Sequence, residues 1–221
     1  MEHAAAKHLS STCPSPHRLG HQRNILGQIL DPGVNLSLWQ RAALPAISRE
    51  LSSLAPSQLP DERDRTSPAT FKEDVRGLLR RQGLEPDDFS HLLADLAQLA
   101  DVFFPLCGDH VARFRLVTTD GDNCRRFHVD TRHLRLLCTY QGPGTEWLDD
   151  AQVDRGALHS GAPNDAIIRF GETSRFEPFW VGIFRGEPGR NGDGLVHRSP
   201  PIAGTGQTRV LFSLDADPRV G

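Results

Sequence analysis

His128 and Asp130 stand two residues apart in RRFHVDTRHL, and alternation along an extended strand sends both side chains to one face. Two donors on one strand need no loop to converge. His197, in LVHRSPP, offers a third donor; it follows the Gly-rich turn GRNGDG and precedes two prolines that end the strand. Two imidazoles and one carboxylate on one side of an ion leave its remaining positions open, the arrangement by which non-haem Fe(II) oxygenases admit cosubstrate and oxygen. Zn(II) suits the same donors, and divalent affinity alone favours it over Fe(II), so the residue types leave the metal open. The plainer alternatives are a surface hydrogen-bonded pair at His128 and Asp130, and at His197 a ring donating to a backbone carbonyl.

These three residues need a β-rich frame. After Pro105 the chain breaks into short pieces, VARFRLVTT, RRFHVD, LRLLCTY, TEWL, DAIIRF, FWVGIF and TRVLFSL, separated by Gly, Pro, Asp and Asn. Seven or eight strands of this kind predict a barrel or sandwich. Upstream, NLSLWQR reads as a short strand and LPAISRELSSLA as a helix opened by Pro45, followed by the polar loop PSQLPDERDRTSP. Val75, Leu78 and Leu79 then recur at helical spacing up to Gly83, and Phe89, Leu92, Leu96, Leu99 and Phe103 repeat the pattern. The expectation is an α+β chain. Residues 24–105 form an α-rich support and 106–221 the β-barrel core of a single domain, while residues 1–23, with His3, His8, His17 and His21, are a disordered lead-in.

Composition narrows the function. A net charge of −3 with interspersed signs lacks the basic field that gathers phosphate backbones, which argues against nucleic acid. No stretch approaches the roughly 20 apolar residues that cross a bilayer, and no secretion signal opens the chain, so a soluble, cytoplasmic protein is expected. Cys13, Cys107, Cys124 and Cys138 are too widely spaced for a zinc ribbon. No Ser stands in G-x-S-x-G, and GEPGRNGDG lacks the Lys-Ser/Thr ending of a phosphate loop, so it reads as a hairpin or mobile lid. Around the three donors, Cys124 lies four residues before His128 and reads as an outer thiol, an extra soft ligand or a buried inert residue. Arg125 and Arg126 read as contacts to an anionic substrate or as a solvated rim, and Trp147 as an apolar wall at the barrel mouth or as core.

The order H-x-D, a turn GPGTEW, a strand DAIIRF, a distal His197 and a terminal-strand Arg209 resembles the Fe(II)- and 2-oxoglutarate-dependent oxygenase superfamily over roughly residues 111 to 215. The resemblance implies a double-stranded β-helix, a jelly-roll or cupin-like barrel, buttressed by the amino-terminal helices. It implies Fe(II) and 2-oxoglutarate as cofactors and hydroxylation of an unknown small-molecule or protein substrate. It also gives Arg209, twelve residues beyond His197, the place of the basic residue that grips the far carboxylate of 2-oxoglutarate. Tyr140 or Thr139 would add a hydroxyl contact. An ordinary ion pair of Arg209 with Asp215 or Glu146 is the alternative. The turn departs from the superfamily pattern, reading G-P-G-T where G-G-x-T is usual. The runs CRRFHVD, RLLCTYQGPGTEWL and HRSPP are similar to an uncharacterised bacterial family, domain of unknown function 1826. That resemblance implies a role in metal limitation beside metallochaperone-like partners, and with it a second reading: a non-catalytic protein holding Zn(II) in the same pocket.

Overall fold

The computed structural model describes residues 15–59, 61, 63–108, 111–188 and 194–216. Its frame is two sheets. The strands β1 (His17–Gly20), β2 (Leu36–Trp39), β3 (Asp64–Thr66), β4 (Ala112–Thr119), β5 (Leu134–Gln141), β8 (Val181–Arg185) and β10 (Arg209–Ala216) form a seven-stranded sheet in the order β1-β2-β8-β5-β10-β4-β3. The short strands β6 (Glu146–Trp147), β7 (Ser174–Arg175) and β9 (His197–Arg198) form a small sheet in the order β7-β6-β9.

Alternation divides the large sheet into two chemical surfaces. Leu134, Leu136, Cys138 and Tyr140 of β5, with Val210, Phe212 and Leu214 of β10, face the helices α1 (Pro45–Leu51), α2 (Phe71–Arg81) and α3 (Ser90–Leu106) in the main core. Leu137, Leu211, Val117 and Phe184 point the other way and pack with Trp147 of the small sheet. A third cluster, including Phe127, Leu148, Val196 and Ile167, lies beneath the short helices α4 (Arg155–His159) and α5 (Asn164–Ile167). Charged and hydroxyl side chains of the inner surface therefore sit between the sheets.

Three findings go beyond or against expectation. The strand expected at NLSLWQR is β2, and the support supplies two further strands, β1 and β3, to the same large sheet. Within the expected lead-in, His17–Gly20 pairs parallel to β2, and the buried His17 ring meets Trp147 edge-on at 4.7 Å. The remainder of that lead-in, residues 1–14, lies outside the described residues, as do residues 189–193 of the expected lid. DAIIRF is not a strand: its first three residues belong to the short helix Asn164–Ile167, and Ile168 only bridges Val153. The Asn164 side chain accepts from Phe127 N at 2.9 Å and donates to Arg125 O at 3.1 Å. Those two bonds replace strand pairing, so RRFHVD is not a continuous strand and His128 enters a single bridge.

A polar cluster ties the helices to the large sheet. Arg41 donates in a fork to Asp95 of α3 at 2.6 and 2.7 Å and to Phe179 O at 2.7 Å, while the Tyr140 hydroxyl donates to Asp95 at 2.5 Å. Burial pushes the Cys138 thiol beside Arg41 up to about 12, so it stays protonated. Removing one partner of a buried pair strands the other charge. Arg41→Leu should therefore cost about 3–5 kcal/mol, and Tyr140→Phe, which leaves Asp95 held by Arg41, about 1 kcal/mol. Urea unfolding measures both, and neither change should alter metal affinity, because this cluster lies on the helical side of the sheet.

Candidate metal centre

His128 and His197 are joined through their backbones: each N–H donates to the other's carbonyl at 3.0 Å in an antiparallel bridge. Residues directly opposite in such a pair project to the same face. The two imidazoles lie side by side accordingly, with ring centres 4.5 Å apart. Trp147 pairs in register with His197 from the other side, and Phe184 meets the His197 ring at 4.8 Å, so the large sheet backs the site. Asp130 is placed by its backbone, whose carbonyl accepts from Glu187 N at 2.7 Å. Gly186 is required beside it, since a Cβ there would lie 2.4 Å from Asp130 O and 2.2 Å from Arg132 O.

The hydrogen bonds of the rings decide which nitrogens are free. His128 Nδ1 lies 2.9 Å from Arg126 O and His197 Nδ1 lies 3.1 Å from Leu195 O. A carbonyl can only accept, so both Nδ1 atoms carry the proton and both Nε2 lone pairs face the shared space. His128 Nε2 is 3.8 Å from Asp130 Oδ1, and His197 Nε2 is 3.7 Å from Asp130 Oδ2. These gaps are too long for hydrogen bonds, and all three donors lie within 4.8 Å of one another. Donors each about 2.1 Å from one ion sit at most roughly 4.2 Å apart. The 3.8 and 3.7 Å spacings, one to each oxygen of Asp130, lie inside that limit, and the 4.8 Å spread of the trio closes with a small side-chain rotation. The residues fit a divalent metal.

The electrostatics agree. Burial pushes the His197 imidazole down to about 4, which keeps it neutral, as a ligand must be. Burial opposes ionisation of Asp130, but His197, Arg135 and His128 outweigh it and hold the carboxyl below its usual range. Side-chain exposure is 33% at His128, 11% at Asp130 and 5% at His197, so the site opens on the side of His128.

Arg209 is 2% exposed on the inner face of β10. Its Nη2 donates to Thr139 Oγ1 at 3.4 Å, and its Nε has no hydrogen-bond partner among the described residues. Both carboxylates considered as its partner are engaged elsewhere: Asp215 by Arg135 and Arg63, Glu146 by Arg175 and Arg198. Burial, and after it the charge of Arg115, push the Arg209 guanidinium down to about 10, leaving it charged at neutral pH.

Several expected neighbours lie elsewhere. Tyr140 does not join Thr139 at Arg209; it is the next residue on the strand, so it faces the helices and bonds Asp95. Arg126 does not face the donors, because its guanidinium is tied to Gly161 O and Ala162 O at the end of α4. Cys124 is exposed in a turn at φ 63°, not on a strand with His128, although its thiol interacts electrostatically with Arg135. Trp147 is buried beside His197, with Nε1 unpartnered among the described residues. Arg135, which reaches the Asp130 carboxylate, and Asp215, which grips Arg135, went unread as site residues; the signal was a charge at an inward position of a largely apolar strand.

Fold and site define a mixed α/β protein with a large sheet and a candidate two-histidine, one-carboxylate metal centre. The chain belongs to the family described as protein of unknown function (DUF1826), whose model matches residues 20–215. No curated protein matches the chain by sequence. Among solved structures it is similar to the dioxygenase for auxin oxidation in rice, at 15% identity over 92% of this chain and 86% of that one, with a TM-score of 0.48. It is also similar to a Pseudomonas putida prolyl-4-hydroxylase, at 12% identity over 79% and 93% of the two chains, TM-score 0.34. A third similar structure is a C-terminally truncated Neurospora crassa protein in its apo form, at 16% identity over 68% and 48%, TM-score 0.30.

Purified protein titrated with Mn(II) should bind one equivalent. His128→Ala or Asp130→Ala should weaken that binding at least about a hundredfold, since each removes one of three donors; unchanged stoichiometry and affinity in either variant would rule these residues out as ligands.

Proposed function

We propose that this protein is a metal-dependent oxygenase on a double-stranded β-helix, using Fe(II) and 2-oxoglutarate to hydroxylate a substrate. His128, Asp130 and His197 would hold the metal, and Arg209 with Thr139 would hold the cosubstrate. The observation that carries the reading is Arg209: a buried guanidinium facing the space between the sheets, with no carboxylate on it among the described residues. Leaving such a charge unpaired is costly, so a site of this kind calls for an anionic occupant.

Bound iron with 2-oxoglutarate would supply the oxidising power to convert a C–H bond to C–OH with molecular oxygen. The chain's own contribution is geometric. Guanidinium and carboxylate meet through two parallel N–H donors, which fixes the direction of the cosubstrate as well as its charge. The Thr139 hydroxyl steadies Arg209 from β5, the strand next to β10 in the sheet. Phe184 and Trp147 wall the His197 side with apolar surface and keep bulk water from it.

With Fe(II), ascorbate and oxygen, the protein should convert 2-oxoglutarate to succinate and carbon dioxide, slowly even without a primary substrate. His128→Ala should abolish this. Arg209→Leu should raise the KM for 2-oxoglutarate at least about tenfold while Mn(II) binding stays unchanged, because it removes a charge-assisted bidentate contact worth roughly 1.5–3 kcal/mol. One equivalent of tightly held Zn(II) with no succinate above background would replace this reading with that of a zinc-holding protein.

A further inference from the structure

The carboxylate arm of the candidate metal centre lacks the support its histidines have. His128 and His197 are locked by a backbone bridge and by their Nδ1 bonds, whereas Asp130 lies outside any strand, and rotation about its side-chain bonds would carry its oxygens away from the imidazoles. Arg135 is the group that reaches it. Its Nη1 lies 2.7 Å from Asp130 Oδ2, while Nε and Nη2 grip Asp215 Oδ1 and Oδ2 at 2.5 and 3.0 Å. Asp215 is 1% exposed and stands directly opposite Arg135 in the pairing of β10 with β5.

We propose that Arg135, clamped by Asp215, is the positioning residue that orients Asp130 for metal binding, an inference resting on the assignment of His128, Asp130 and His197 as the ligands. The division of labour within the guanidinium supports it. One edge of the fork is consumed by Asp215, which fixes the plane and reach of Arg135 on two central strands and leaves Nη1 for Asp130. The contact to Oδ2 is close yet not aligned as a hydrogen bond, so lone pairs of Asp130 remain for an ion.

Charge explains why the clamp is a carboxylate. An arginine beside a metal ligand alone would take the ligand's charge and repel the cation. Asp215 shares the positive charge of Arg135, so Asp130 keeps negative charge for the metal. Arg63 approaches Asp215 at 3.4 Å from the more exposed side and offsets what is left. None of these groups is among the proposed ligands, and each would act through Asp130.

The test compares Mn(II) affinity and the visible spectrum of the Co(II) form in wild type, in Arg135→Lys and in the double variant Arg135→Leu/Asp215→Leu. The double variant removes both charges of the clamp together, so neither of these two is left buried alone, and far-UV circular dichroism with urea unfolding establishes that it folds. Its Mn(II) dissociation constant should rise about 10- to 100-fold with a changed Co(II) spectrum, the scale on which groups that orient a ligand act. Arg135→Lys, which keeps a charge within reach of Asp130, should recover most of the loss. A folded double variant within about threefold of wild type, a small fraction of that scale, or a lysine variant no better than the double, would overturn the proposal. Failure of the wild-type protein itself to bind Mn(II) is a separate result, and it would overturn the ligand assignment together with this inference.

Discussion

Two hydrogen bonds hold the arrangement together: the reciprocal backbone pair between His128 and His197. It draws two segments far apart in sequence to the spacing of neighbouring strands, and in doing so it gives both imidazoles the same face. The rest follows from what that pair demands. Trp147 and Phe184 must flank it, Gly186 must let the Asp130 backbone pass, and the Nδ1 atoms must be satisfied by local carbonyls so that Nε2 is left over. A histidine pair without this bridge would be two loop side chains with no reason to converge.

Charge between the sheets is handled in two different ways, and the contrast is informative. Asp215, Arg135 and Asp130 form a continuous chain of opposite charges, as do Arg175, Glu146 and Arg198 on the small sheet. Among the described residues Arg209 has no hydrogen-bonded carboxylate; Glu146, one of its two candidates, attracts it only from further off while engaged by Arg175 and Arg198. Proteins seldom leave a buried charge unmatched where the fold alone decides. This unmatched position is where the proposed function places the cosubstrate carboxylate.

Chemistry at short range was legible in the amino-acid sequence; parity along buried strands was not. His128, Asp130 and His197 do stand together, although Asp130 lies outside any strand, so the strand alternation that singled out the first two is not what aligns them; the helices of the support were legible by their 3.6 periodicity. Thr139 and Tyr140 did not separate, because Leu137 interrupts the alternation of β5 and both of its faces are largely buried, so burial does not tell in from out. The strand at His17–Gly20 was missed for a related reason: four residues without alternation pair in parallel with a strand well downstream, and no local pattern announces that. DAIIRF shows the ambiguity of a short apolar run, settled by a single Asn164 side chain that takes the backbone groups a strand would have used.

The division of the large sheet into two surfaces also separates stability from chemistry. On the helical side, Tyr140, Asp95 and Arg41 satisfy one another completely and touch nothing that opens to solvent at the metal centre. On the inner side, the residues between them in sequence carry Arg135 and Thr139, whose partners are Asp130 and Arg209. A strand that alternates in this way lets one surface be packed to a rigid core while the other keeps polar groups in incomplete sets. Rigidity on the first side is what makes incompleteness tolerable on the second, since an unpartnered guanidinium or a lightly held carboxylate keeps its place only if the backbone beneath it cannot relax toward another partner.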